Sequence, residues 1–420
     1  MSVSEMKAQL DNPKLITKGL AEAKRPIIVL GHGVKLSGTQ VKALHYAELF
    51  QIPIVTTKLG FDLITEYNPL LAGRIGVNGQ RCGNIAVQNA DFILVLGARL
   101  SQPTTGYNFK AFGRNAKIAI VDADPHVLNE NFKKFKPEYI ILSDLNMFFD
   151  RVKDLVFPIC ARERKSWLKK IQDWRGSLKF APLKEYDPYV HHEDGFINSY
   201  SFYHSLSQAM APGDIMVTDQ GAAFYGYNVT FQVKKDQHIF TNGGFSPMGY
   251  GLPAAIGAHF GRNGSRKNLV CVHGDGGLML NLQELQTVKF HKIPLKLFVF
   301  NNQGYLSIKH TQDLYFNGHR VGCDKKSGLT LPRLDWVSMA FDMQYDCFDN
   351  EGDLIKAFPR IFAAPGPMLI EIKMNPEQKF WPKTVSSKRP DGTMVSPPLE
   401  DMTPKIDIKR EMYIKDWNYE

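Results

Sequence analysis

The chain has 420 residues, of which 44% are hydrophobic and 22% are charged, and its formal net charge is +9. These fractions are those of a globular protein, and the length predicts two domains of ordinary size. The basic residues are mostly spread along the sequence, without a helix-turn-helix, zinc-finger or ribonucleoprotein signature. We therefore expect no nucleic-acid partner.

The cysteines and the hydrophobic runs bear on the compartment. The five cysteines are widely separated, odd in number and without a Cys-x-x-Cys pair, which is typical of a reducing compartment and indicates no structural zinc. The sequence has no signal-peptide pattern and no apolar run long enough to span a bilayer. We therefore expect a cytoplasmic protein without a membrane partner.

Strand-like and helix-like segments alternate over residues 13–160. This alternation predicts an open, Rossmann-like α/β sheet. Gly31-His32-Gly33 and Asp122 each follow an apolar run and would suit a nicotinamide dinucleotide, but both patterns are also common in ordinary turns. The runs predicted to be buried strands are Pro26–Leu30, Phe92–Leu96, Ile118–Val121 and Tyr139–Leu142.

The rest of the chain divides into three segments. Residues 161–200 are charged and aromatic without a strand pattern, so we predict a connecting helix and linker there. A second α/β domain is predicted over residues 201–375, followed by an extended, proline-containing tail over residues 376–420. Inside the second domain, the polar segment Lys309–Thr330 is predicted to be a loop that closes over substrate.

Two polar clusters follow two apolar runs of the second domain. Gly274-Asp275-Gly276 comes after Leu269–Val272, and Asn301-Asn302 comes after Leu295–Phe300. Leucines and a valine at helical spacing lie between the clusters, so the segment predicts a strand, turn, helix and strand that form a parallel crossover. Such units bring the carboxyl ends of their strands to one edge of the sheet.

These clusters carry the residue types that a metal and a phosphate need. Mg²⁺ takes one or two oxygen ligands from side chains and the rest from phosphate and water, which Asp275 and Asn302 would allow. The following helix would add amide donors and the positive end of its dipole. Each cluster alone is also what an ordinary turn contains. Together they predict a metal and phosphate site.

The spacing of the two clusters resembles the thiamine diphosphate signature of decarboxylases and carboligases. Upstream, Asn242–Ala258 is similar to the cofactor-facing turn and helix of the acetolactate synthase large subunit. The similarity extends from about residue 13 to the end of the chain. It implies two open, mainly parallel-sheet domains, a Rossmann-like central domain and a domain that binds thiamine diphosphate.

The resemblance also implies roles for individual residues. Mg²⁺ would be held by Asp275, Asn302 and the backbone carbonyl of Gly304. Met248 would hold the cofactor in its bent shape. Gly221 and Ala222 would form a second diphosphate loop, through backbone amides because Ala222-Ala223 replaces the usual Gln-His of the family. The remaining residues implied to line the diphosphate are Gly276, Gly277, Gln303, Tyr305 and Leu306.

The activity implied by the resemblance is decarboxylation or carboligation of a 2-keto acid or related substrate with thiamine diphosphate and Mg²⁺. In the family, a glutamate on an amino-terminal pyrimidine-binding domain activates the cofactor. The sequence begins almost at the central domain, so we expect this glutamate to lie outside the chain. The expected partner is a second copy of the chain or a chain that supplies that domain. The alternatives are a noncatalytic cofactor-binding or assembly subunit and a gene remnant.

Two departures from the family pattern bear on FAD and on the substrate. Leu100–Gly106 retains only the Thr-Gly of a charged run that serves the flavin and substrate region, which argues against FAD. Thr311 stands where the family has a tryptophan that favours the larger acceptor, which argues against a biosynthetic acetolactate synthase. The donor and the acceptor stay open.

Overall fold

A computed structural model of the chain describes residues 12–178, 195–262, 264 and 267–405. The chain divides into two compact units, one formed by Met1–Leu183 with Trp381–Glu420 and the other by Lys184–Phe380. In the described residues, each unit contains a six-stranded parallel sheet with helices interleaved between the strands. The predicted fold class, α/β with two open parallel sheets, is confirmed. No helix in these ranges combines the length and the apolar character needed to cross a membrane.

The sheet of the first unit has the strand order β3-β2-β1-β4-β5-β6, and every neighbouring pair is parallel. All residues of β1 and β4 are buried, because helices cover both faces of a doubly wound sheet. The four strands predicted from the sequence are confirmed to within one residue, and the two short strands β2 and β3 were not predicted. The strands are β1 Pro26–Leu30, β2 Ile54–Thr56, β3 Leu71–Arg74, β4 Phe92–Leu96, β5 Lys117–Asp122 and β6 Tyr139–Leu142.

Two helices of the first unit begin after a residue whose side chain caps the first turn. The side chain of Asn12 accepts a hydrogen bond from the backbone of Leu15, and that of Asp124 accepts one from His126; a proline follows each of these N-caps. Asp122 accepts from the backbone of Asp124 at 3.0 Å, so its carboxylate shapes the turn before a helix. The helices are α1 Pro13–Glu22, α2 His32–Leu36, α3 Gln40–Leu49, α4 Arg81–Gln88, α5 Gln102–Thr105, α6 Pro125–Phe135, α7 Leu145–Val152 and α8 Ala161–Leu178.

The Gly31-His32-Gly33 motif packs the ends of two strands together. A Cβ atom on Gly31 would lie 2.2 Å from the carbonyl oxygen of Gly97, and one on Gly33 would lie 2.7 Å from the Cα of Gly97. Neither position has room for a side chain because the backbone after β4 lies against it. Close backbone packing is therefore sufficient to explain both glycines.

The first unit is formed by the chain segments that precede and follow the second unit in the sequence. Trp167, Ile171 and Trp174 of α8 lie in the hydrophobic core of the first unit. The tail residues Leu399 and Met402 are also buried. In its described residues, which end at 405, the tail forms a two-stranded antiparallel ribbon, β13 Ser387–Lys388 with β14 Met394–Val395. Residues 179–194 of the predicted linker and residues 406–420 of the predicted tail lie outside the described residues.

The sheet of the second unit has the order β11-β12-β10-β9-β7-β8, with all neighbours parallel. Its strands β9 and β10 are adjacent and connected through helices, which confirms the predicted crossover. The strands are β7 Ile215–Thr218, β8 His238–Phe240, β9 Leu269–Gly274, β10 Leu295–Asn301, β11 Gln344–Phe348 and β12 Met368–Lys373. The helices are α9 Ser199–Ala209, α10 Ala222–Thr230, α11 Gly251–Gly261, α12 Asp275–Leu278, α13 Leu285–Phe290, α14 Leu306–Tyr315, α15 Leu334–Ala340 and α16 Glu351–Ala363.

The predicted loop Lys309–Thr330 is wrong in its first part, since α14 continues to Tyr315. The sequence did not reveal this helix because apolar side chains such as Ile308 and Leu314 are exposed, whereas Lys309 is buried and donates to the carbonyl of Pro376 at 2.7 Å. Ion pairs also fix the position of the segment that follows α14. Arg320 forms ion pairs with Asp313 and Glu377.

Candidate cofactor site

Asp275 lies at the carboxyl end of β9 and is only 5% exposed. One of its oxygens accepts from the backbone of Gly276 at 2.7 Å, and the other accepts from the backbone of Gly304 at 3.2 Å. Burial raises the pKa of the Asp275 carboxyl to about 7, although these backbone donors lower it. A carboxylate in this setting is short of positive charge, which a bound cation would supply.

Asn302 follows β10 and is 2% exposed, and its side-chain oxygen Oδ1 has no hydrogen-bond partner in the described part of the chain. Because Phe300 of β10 pairs with Gly274 of β9, Asn302 and Asp275 extend from neighbouring strand ends. A buried acceptor without a donor is costly unless something binds it. The two predicted ligands are thus brought to one edge, and their oxygens fit a hard cation such as Mg²⁺.

The described residues contain no group of three or more His, Cys, Asp or Glu side chains that could hold a metal ion. A metal at Asp275 would therefore depend on amide, backbone and phosphate oxygens beside a single carboxylate. This donor set is typical of Mg²⁺ that is bound together with a phosphate ligand. It is not a set that would select zinc, which prefers thiolate and imidazole ligands.

The turn after Asn302 has an unusual backbone. Gln303 and Gly304 have φ values of 61° and 146°. A Cβ on Gly304 would lie 2.1 Å from the carbonyl oxygen of Cys323, which accepts a hydrogen bond from the backbone of Tyr305 at 2.8 Å. The segment containing Cys323 therefore fixes this turn, including the Gly304 carbonyl that the resemblance implies as a metal ligand.

Neighbouring side chains leave no room for a Cβ atom at Gly276 or Gly277. A Cβ on Gly276 would lie 2.5 Å from the ring of Tyr305, and one on Gly277 would lie 2.3 Å from Oδ2 of Asp219. Both glycines let other groups approach the start of α12. Tyr305, implied as part of the diphosphate wall, is thereby placed beside Gly276.

Two longer helices begin near each other at this edge of the sheet. A Cβ on Gly221, directly before α10, would lie 3.7 Å from the hydroxyl of Ser307 in the first turn of α14. Within the described structure neither helix has a side-chain cap, so their first amides are not satisfied by capping side chains. Helix amino termini with free amides attract anions. The positions of Gly221, Ala222 and Leu306 at these termini suit contact with a diphosphate through the backbone.

Met248 is placed on a turn that approaches the same edge. Its side chain is 38% exposed, and it directly precedes Gly249, whose φ is 85°. The side chain of Asn281 donates to the carbonyl of Gly249 at 2.8 Å, which ties the turn to the segment after α12. An apolar side chain is thus available beside the polar strand ends.

Asp219 and His273 are buried site residues that were not predicted from the sequence. Asp219 is 1% exposed and accepts from the backbone of Gly249 at 3.2 Å and of Gly251 at 3.1 Å. The Nδ1 of buried His273 lies 3.3 Å from Oδ2 of Asp219. The signal for Asp219 was an acid directly after a strand, but its partners are too far along the sequence to be identified from it.

Family comparisons define the class of protein. The model of the thiamine pyrophosphate enzyme central domain matches residues 14–152, and the model of the C-terminal TPP binding domain matches residues 221–372. Together these matches cover more than half of the chain. The chain belongs to the thiamine pyrophosphate enzyme family.

Among curated relatives, the chain is similar to large subunits of acetolactate synthase. It is 30% identical over 362 residues to the isozyme 1 large subunit of Escherichia coli (strain K12), covering 86% of this chain and 60% of that protein. It is 28% identical over 377 residues to the large subunit of Cyanidium caldarium, covering 88% of this chain and 61% of the relative. A probable acetolactate synthase large subunit of Methanocaldococcus jannaschii is 27% identical, with 87% and 60% covered. The chain spans about three fifths of the length of these relatives.

Proposed function

We propose that this chain is a component of a thiamine diphosphate- and Mg²⁺-dependent enzyme that decarboxylates a 2-keto acid or joins it to an acceptor. The observation that carries the proposal is the pair Asp275 and Asn302, a buried carboxylate and an unpaired buried amide oxygen at neighbouring strand ends. Membership of the thiamine pyrophosphate enzyme family supports thiamine diphosphate as the phosphate ligand.

The proposal assigns the two ends of the cofactor to different residues. Asp275, Asn302 and the Gly304 carbonyl would hold Mg²⁺, which would offset the negative charge of the diphosphate. Met248 would contact the organic part. The residues proposed to line the diphosphate are Gly221, Ala222, Gly276, Gly277, Gln303, Tyr305 and Leu306.

Bound thiamine diphosphate supplies a thiazolium ring that accepts the electron pair released when a 2-keto acid loses carbon dioxide. The residues of this chain bind and orient. The amino termini of α10 and α14 would offer backbone amides to the diphosphate, and Asp275 would hold the metal at the sheet edge. The acid that activates the cofactor is proposed to come from outside the described residues.

The relatives are named as large subunits, which supports an assembly of more than one chain. We propose that the partner is a second copy of this chain or a chain that carries a pyrimidine-binding domain. The similarity to acetolactate synthase large subunits supports a 2-keto acid donor.

Calorimetric titration of the full chain with thiamine diphosphate tests the proposed site. With Mg²⁺ present we expect binding, and we expect a chelator to abolish it. Asp275→Ala removes the one carboxylate of the metal site and should weaken binding by at least about 100-fold. Asp349→Ala is the matched control, since that carboxylate lies in the same unit and its side chain is 56% exposed.

Equal affinities of the wild-type chain and the Asp275→Ala variant would refute the metal site. Absence of any binding by the wild-type chain would refute the proposed function. Release of carbon dioxide from pyruvate by the chain together with its proposed partner would support the proposal that the chain is part of an enzyme. Cofactor binding without such release would instead indicate a noncatalytic subunit.

A further inference from the structure

The carboxylate of Asp219 connects three backbone segments that are distant in sequence. It follows β7, and its two oxygens accept from Gly251 and Gly249 at 3.1 and 3.2 Å. Oδ2 also lies where a side chain on Gly277 would be, because a Cβ there would be 2.3 Å away. The carboxylate therefore joins the turn that carries Met248 to the start of α12.

The imidazole of His273 lies against the same carboxylate. Both side chains are at most 1% exposed, with 3.3 Å between Nδ1 and Oδ2, and a Cβ on Gly251 would lie 2.9 Å from the imidazole ring. In the described residues no lysine or arginine forms an ion pair with Asp219. Its charge is stabilised by the turn amides and the imidazole.

Hydrogen bonds to a charged group are stronger than those between neutral groups, and a buried carboxylate needs all of its donors. Asparagine cannot replace Asp219 here, because only one of its two terminal atoms can accept from a backbone amide. The replacement would leave either the Gly249 or the Gly251 amide facing another donor. The turn would then move relative to Gly276 and Gly277.

We infer that Asp219 is a positioning residue that sets the distance between Met248 and the diphosphate end of the site. This inference rests on the proposed function. The chain would thereby recognise the organic part of thiamine diphosphate in addition to its phosphates. Asp219 would not contact the diphosphate itself, so its role can be separated from that of Asp275.

The test compares two ligands on the full chain, thiamine diphosphate and inorganic pyrophosphate, each titrated by calorimetry with Mg²⁺. Asp219→Asn should weaken thiamine diphosphate binding by about 10- to 100-fold, the range expected for losing one charge-assisted hydrogen bond. The affinity of this variant for pyrophosphate should stay within about twofold of the wild-type affinity, because the backbone amides that donate to phosphate are retained. Asp275→Ala should weaken both ligands together.

Asp214→Asn is the matched control for general destabilisation. Asp214 is also 1% exposed and accepts from the backbone of Ala211 and Asn268, but it directly precedes β7, at the other end of that strand. This variant should not discriminate between the two ligands. Asn281→Ala provides a second route if Asp219→Asn does not fold, since Asn281 holds the Gly249 carbonyl from a half-buried position. It should show the same selective loss.

An equal loss of both ligands in Asp219→Asn, or unchanged thiamine diphosphate affinity, would overturn the inference while leaving the proposed function intact. The same holds if Asn281→Ala, used alone, shows no selectivity. Failure of the wild-type chain to bind thiamine diphosphate would overturn both proposals.

Discussion

Lys296 illustrates how one buried charge is accommodated in the second sheet. It lies on β10, is 2% exposed, and its ammonium donates to the carbonyls of Ala364 and Gly366 at 2.7 and 3.0 Å. These carbonyls follow α16, so the cation lies at the negative end of that helix. Burial nevertheless lowers the pKa of Lys296 to about 8. The loss of hydration therefore outweighs these contacts.

This shift predicts how stability changes with pH. Between about pH 8 and the ordinary value of 10.5, the unfolded chain keeps the proton on Lys296 while the folded chain releases it. The unfolded state binds more protons in this window, so the contribution of Lys296 to the free energy of unfolding rises with pH. Thermal unfolding of the wild-type chain and of the Lys296→Met variant at about pH 7.5 and about pH 10 measures this contribution. Between these pH values, the free energy of unfolding of the wild-type chain should rise relative to that of the variant. Lys373→Met, at an exposed strand end, is the control, and equal changes in all three proteins would contradict the prediction.

Helix α8 is amphipathic, and its buried stripe includes one arginine. Arg164, Trp167, Ile171 and Trp174 recur at helical spacing and are buried. The guanidinium of Arg164 donates to the carbonyls of Ala23 and Phe50 at 2.9 Å and also to the carbonyl of Leu20. It therefore supplies donors to carbonyls at the carboxyl ends of α1 and α3, where no further helical turn provides backbone N–H groups.

Replacing Arg164 by Met should destabilise the first unit, because buried carbonyl oxygens would lose their donors. The expected cost is roughly 2–4 kcal/mol in the free energy of unfolding. Thermal unfolding followed by circular dichroism measures the change. Lys165→Met on the exposed side of the same helix should be nearly neutral. Similar unfolding temperatures for the two variants would show that Arg164 does not cap these helices.

At the scale of the whole molecule, the chain leaves the first unit, forms the second, and returns to the first. The returning tail is held by buried polar contacts. Glu400, 3% exposed, accepts from Arg114 at 2.6 Å and from Gln88 at 2.7 Å, and the carbonyl of Leu399 accepts from Asn84 at 3.1 Å. The tail is therefore part of the core packing of the first unit.

Glu400→Ala should loosen the first unit and leave the second unchanged. The substitution removes the buried carboxylate that Gln88 and Arg114 share, which should cost roughly 2–4 kcal/mol. Hydrogen exchange measured by mass spectrometry should show faster exchange in α4 and the first sheet, with no change in β9 and β10. Asp401→Ala, whose side chain is 40% exposed, is the control. Faster exchange throughout both sheets would contradict the assignment of the tail to one unit.

The sequence alone determined the alternation of strands and helices and the pairing of Asp275 with Asn302 after two buried strands. These features depend on local periodicity, residue type and the rule that parallel strands end at one edge. Only the tertiary structure identified the partners of Asp219, the carbonyls bound by Arg164 and the return of the tail to the first unit. Each of these is a contact between segments far apart in sequence, and local hydrophobic patterns contain no information about which distant backbone group a buried charge will meet.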